Sequence, residues 1–99
     1  MKWPDLVDAF KKKLPTRNRR VVVRRVAMHS HGNTELSGSG KVITVTIRKD
    51  DKREVQEDSL AHEWGHVLEF DAWNPHGEIW GKYHSKAYRL LETLRDEEV

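Results

Sequence analysis

The chain has no cysteine. That excludes disulfides, thiolate zinc sites and a cysteine nucleophile, and is compatible with a reducing, intracellular setting. Its longest stretch of consecutive β-branched apolar residues is Val21-Val22-Val23, and the opening Met1-Lys2-Trp3-Pro4-Asp5 has no apolar core. Neither a signal peptide nor a membrane span is therefore expected, and a cytoplasmic location follows. There are three prolines, at 4, 15 and 75, and no low-complexity stretch or repeat. With 99 residues the chain suffices for one domain with one core, residues 1–99.

What is present is charge, at 34% of residues, against 36% hydrophobic. The net charge of +2 hides a division. Residues 1–53 hold 14 Lys/Arg and 5 Asp/Glu, which is +9; residues 54–99 hold 4 and 11, which is −7. The basic half gathers Lys11, Lys12, Lys13, Arg17, Arg19, Arg20, Arg24 and Arg25. Such a patch can attract nucleic acid without sequence preference, or can be a solvated face balancing the acidic half.

Apolar periodicity places the elements. Pro4 to Leu14 reads as an amphipathic helix with Leu6, Val7, Phe10 and Leu14 on one side, ended by Pro15. Val21 to Met28 is a β-branched strand. His29 to Gly40 holds three Gly and three Ser and reads as a loop or hairpin connection, with room for a short strand near Thr34–Leu36. Lys41 to Arg48 alternates, with Ile43, Val45 and Ile47 on one face. A helix over about 54 to 70 carries Leu60, Ala61, Trp64, Val67 and Leu68 as one apolar stripe. Glu78 to Arg95 forms the last helix, with Ile79, Tyr83, Ala87, Leu90, Leu91 and Leu94 inward, and the tail from Asp96 frays. The order predicts an α+β domain: a small antiparallel sheet packed on two of the helices.

Within the 54–70 helix stands His62-Glu63-Trp64-Gly65-His66, an H-E-x-x-H match. Residues i and i+4 share a helix face, so His62 and His66 can both reach one ion. Two neutral imidazoles suit zinc, and the adjacent Glu63 suits a general base acting on a zinc-bound water. A catalytic zinc takes a third protein ligand. The metzincin pattern needs Gly and His where the chain has Glu69 and Ala72, so that branch is excluded. Glu92, Glu78, His76 and His84 all remain candidates. His29 and His31 read as exposed loop residues. Tyr83 and Tyr88 are candidates to donate to an oxyanion, and Asp71 to orient a ligand histidine or cap a loop.

The segment Asp58-Ser59-Leu60-Ala61-His62-Glu63-Trp64-Gly65-His66-Val67-Leu68, followed by His76-Gly77-Glu78-Ile79-Trp80, resembles the SprT-like (Spartan-type) zinc metallopeptidases. Their pattern is an HExxH helix, a variable loop, then His-Gly-x-x-aromatic opening the next helix. The likeness covers roughly residues 40–90. It implies a minimal zincin-like domain of prokaryotic or phage type. It also implies Zn2+ held by His62, His66 and His76, Glu63 as the base, and Trp80 at the family's aromatic position. The cysteine-rich zinc ribbon of many members is absent, as is any recognisable DNA-binding element. The expected function is zinc-dependent endopeptidase action on protein or peptide substrate by a monomer, with Lys41–Arg48 as the edge strand above the cleft. The competing expectation is a non-enzymatic module, binding nucleic acid or a partner, in which zinc is a structural staple.

Overall fold

In the computed structural model, residues 1–72 and 78–98 are described, the side chains of 78–80 excepted. The elements run α1 (Trp3–Lys13), β1 (Arg20–Val26), β2 (Gly32–Leu36), β3 (Val42–Arg48), α2 (Arg53–Ala72) and α3 (Glu78–Glu97). The fold is α+β, three helices with a three-stranded mixed sheet.

The sheet corrects two expectations. Its order is β1-β3-β2, with β1 parallel and β2 antiparallel to β3, so it is mixed and not antiparallel. The strand expected at the edge, β3, is central. Composition explains this: Ile43, Val45 and Ile47 are each 0% exposed, and the most apolar strand takes the position paired on both sides. Arginine-flanked β1 and polar β2 take the edges, where charge and polarity discourage further pairing. Gly40, at φ 73°, closes the β2–β3 connection in a backbone region that favours glycine. The Ser37 hydroxyl there accepts from the Val42 amide at 3.1 Å.

Helix α2 is the hub. Buried residues Leu60, Ala61, Glu63, Trp64, Gly65, Val67 and Leu68 surround it, where the sequence suggested one stripe. A helix packed by neighbours on several sides buries most of its circumference. Phe10 of α1 meets Trp64 with ring centroids 5.6 Å apart, and the Trp64 indole N–H donates to the Leu14 carbonyl at 3.0 Å. Buried Gln56 is fully engaged: its amide donates to the Lys49 and Asp51 carbonyls and its oxygen accepts from Arg25. On α3, Ala87, Leu91 and Leu94 are buried as the periodicity required. Arg95 secures α3 to α2 through Glu57 and Asp58, both at 3.1 Å. Those contacts hold the expected frayed end as helix through Glu97. Among the described residues no helix is long and apolar enough to cross a membrane.

Candidate metal and hydrolytic site

His62 and His66 lie one turn apart on α2, with ring centroids 5.2 Å apart. A third ring, His84 of α3, stands 4.8 Å from the first and 5.1 Å from the second. Three imidazoles bonded to one tetrahedral zinc at about 2.1 Å would have centroids about 5 Å apart. The ring spacing meets that figure. Even so, among the described residues no group of three or more His, Asp or Glu side chains is arranged as it stands to hold a metal ion. His76 lies outside the described residues, as do the side chains of Glu78 and Trp80. Glu92 is exposed on α3 and lines neither cavity around the histidines.

His84 is only 6% exposed. Burial first, then the neighbouring His62 and His66, lowers its pKa from 6.5 to about 4. It is therefore a neutral imidazole at neutral pH, the form that binds metals. Its position depends on Gly65. A Cβ on Gly65 would fall 2.5 Å from the His84 ring, so only glycine leaves room for α3 to seat it. In a bare helix, Gly65→Ala would stabilise by about 1 kcal/mol. Here the expected sign is reversed: Gly65→Ala displaces a buried ring, lowers the melting temperature by several degrees and shifts the His84 imidazole resonances. A raised melting temperature with unchanged resonances would contradict the packing described.

Glu63 is 7% exposed beneath β2. Thr34 donates its hydroxyl to the Glu63 carboxylate at 2.8 Å. Gly32, at the start of β2, comes so close that a Cβ there would lie 3.0 Å from the Glu63 side chain. The edge strand therefore sits directly on the carboxylate. His66 Nδ1 is 3.4 Å from Glu69 Oε2, an i,i+3 contact that orients the ring.

Two cavities, of about 430 and 410 Å³, share Gly32, His62 and Glu63 and form one groove along α2. Its first half is walled by His31, Asp58, Ser59 and Tyr88, its second by Asn33, Thr34, His66 and Phe70. Tyr88 has its pKa raised by burial, then by Asp58 and Glu63, so its hydroxyl stays a donor. Tyr83 lines a separate cavity with Lys13, Arg17 and Lys86, away from the histidines. Of the two tyrosines suggested by the sequence, Tyr88 belongs to the groove. The Asp71 carboxylate accepts from the Arg17 and Asn18 amides and caps that loop.

Much of the basic half is engaged within the fold. Arg19 donates to the Gly40 and Phe70 carbonyls, Arg24 to Thr46, and Arg25 stacks 4.7 Å from the Trp3 ring. Of the patch, Lys11, Lys12, Lys13, Arg17, Arg20, Arg24 and Arg25 are exposed.

His31 is the exposed loop residue that the sequence suggested, and it also lines the groove; Gly32, Thr34 and Glu69 were missed as parts of the site. Gly65 carried a usable signal: a mid-helix glycine costs about 1 kcal/mol and points to a close approach. Comparison of the chain with protein-family models, curated proteins and solved structures gives no match in any of the three. The class the fold and site define is thus a small α+β domain with a histidine cluster and a buried glutamate in one groove.

Proposed function

We propose that the chain is a zinc-dependent endopeptidase of minimal zincin-like architecture, related to the SprT-like metallopeptidases. The observation that carries this is the position of Glu63, held by Thr34 beside His62 in an open groove. A structural metal site has no use for such a carboxylate. His62 and His66 would hold the zinc, with His76 as third ligand from the resemblance. Zinc in that place supplies Lewis acidity and lowers the pKa of a bound water. Glu63 takes the proton of the attacking water and passes it to the leaving amine. Glu69 orients His66, and the Tyr88 hydroxyl donates to the carbonyl oxygen of the substrate. The outer edge of β2, in place of β3, offers backbone groups to an extended peptide.

One observation favours a second reading. His84 meets both His62 and His66, and if it joined His76 on the ion, four imidazoles would close the site. A closed four-ligand zinc is structural and leaves no place for water. Nucleic acid as a partner rests on exposed cations of the N-terminal half, Lys11, Lys12, Lys13, Arg17 and Arg20 among them, and its binding would weaken steeply with salt.

The test uses zinc content and hydrolysis together. The purified chain is expected to carry about one zinc and to cleave unfolded casein, and His62→Ala, His66→Ala and His76→Ala each to lose both. Full zinc retention in His76→Ala, with loss in His84→Ala, would overturn the ligand set. Zinc-loaded protein without hydrolysis would favour the structural reading.

A further inference from the structure

His31 stands just before Gly32, where β2 begins to cover Glu63. Its backbone is fixed, because its carbonyl accepts from the Arg48 amide at 3.0 Å. Its ring is fixed as well: Nδ1 lies 2.7 Å from Asp51 Oδ2. The Asp51 side chain is 12% exposed, whereas that of His31 is 67% exposed. A carboxylate that is mostly covered thus holds Nδ1 of a ring that is mostly exposed. His31 lines the groove together with His62, Glu63 and Tyr88.

An exposed histidine–carboxylate pair adds little to stability, because solvent screens it and both side chains lose freedom. The pair does something else here. With one nitrogen held, the ring presents the other in a fixed direction, which is what a preorganised contact requires. Val55, Asp58, Ser59 and Tyr88 complete this side of the groove. Asp58 is already engaged by Arg95 at 3.1 Å.

We propose that His31 is a substrate-contacting residue: held by Asp51, its Nε2 hydrogen-bonds the backbone of a peptide lying in the groove beside Glu63. Asp51 is the positioning residue. The inference rests on the peptidase reading of the same groove and adds to it a residue that fastens the substrate on one side of the reacting bond.

The experiment uses fluorescein-labelled β-casein as the probe. Steady-state hydrolysis is measured for the zinc-loaded wild-type chain, His31→Ala, His31→Gln and Asp51→Asn. Casein binding is measured by anisotropy in Glu63→Gln and in Glu63→Gln with His31→Ala. The expected result is a KM raised about tenfold in His31→Ala with kcat nearly unchanged, and Kd weakened to a similar degree, the scale of one lost hydrogen bond. Asp51→Asn should shift KM in the same direction by less, and His31→Gln should recover part of the loss. Zinc content and melting temperature should not change in His31→Ala. An unchanged KM and Kd in His31→Ala, with hydrolysis intact, overturns this inference alone, as does loss of zinc in that variant. Absence of hydrolysis in the wild-type chain overturns the peptidase reading and this inference with it.

Discussion

Replacing Glu63 by glutamine is expected to abolish hydrolysis while leaving zinc content and melting temperature unchanged. The amide nearly matches the carboxylate in shape, so the close fit under Gly32 survives, and its oxygen still accepts the Thr34 hydroxyl. What disappears is the capacity to accept a proton. A positioned base contributes about 10²–10⁴-fold, so turnover should fall by at least two orders of magnitude. Casein hydrolysis, elemental analysis and a thermal melt on one preparation check all three parts. Undiminished turnover would mean that another group acts as the base, and loss of zinc would mean that Glu63 is a ligand.

Removing zinc is expected to lower the melting temperature by on the order of 20 °C. Zinc held by His62, His66 and His76 would tie the middle of α2 to the segment before α3, adding to the apolar packing of Ala87, Leu91 and Leu94 and to the Arg95 pairs that already join the two helices. A ligand present at 1,000 times its Kd stabilises the native state by about 4 kcal/mol. In a domain of this size each kcal/mol is worth roughly 4–8 °C. Melting before and after dialysis against EDTA, with zinc quantified in both samples, checks the effect. Identical curves after verified removal would show that the core around Trp64, Phe10, Ile43 and Leu91 holds the helices without help.

Legibility followed the range of the interactions. Helices α1 and α3 and strand β3 were readable because their apolar periodicity is local: Leu6, Val7 and Phe10, Ile43, Val45 and Ile47, and Ala87, Leu91 and Leu94 are buried as the spacing requires, while β1 was readable from its β-branched run. Strand β2 was the hardest to read, since Gly32-Asn33-Thr34-Glu35-Leu36 is polar and its place is fixed by a contact with Glu63, 29 residues away from Thr34. Parallel pairing of β1 with β3 was illegible for a similar reason: strand order depends on which strand competes best for the centre. In the site, H-E-x-x-H needed only helix geometry to be recognised. The approach of His84 depends on how α3 docks over Gly65, and the placing of His31 depends on Asp51; both are set by tertiary packing.

The most direct measurement is the coordination of zinc in the loaded wild-type protein, by X-ray absorption and by anomalous scattering from crystals. The expected result is one zinc at His62 and His66 with three imidazole ligands in all, a fourth position held by water within reach of Glu63, and His84 outside the coordination sphere. A zinc closed by four imidazoles including His84, or no zinc at His62 and His66, would contradict it.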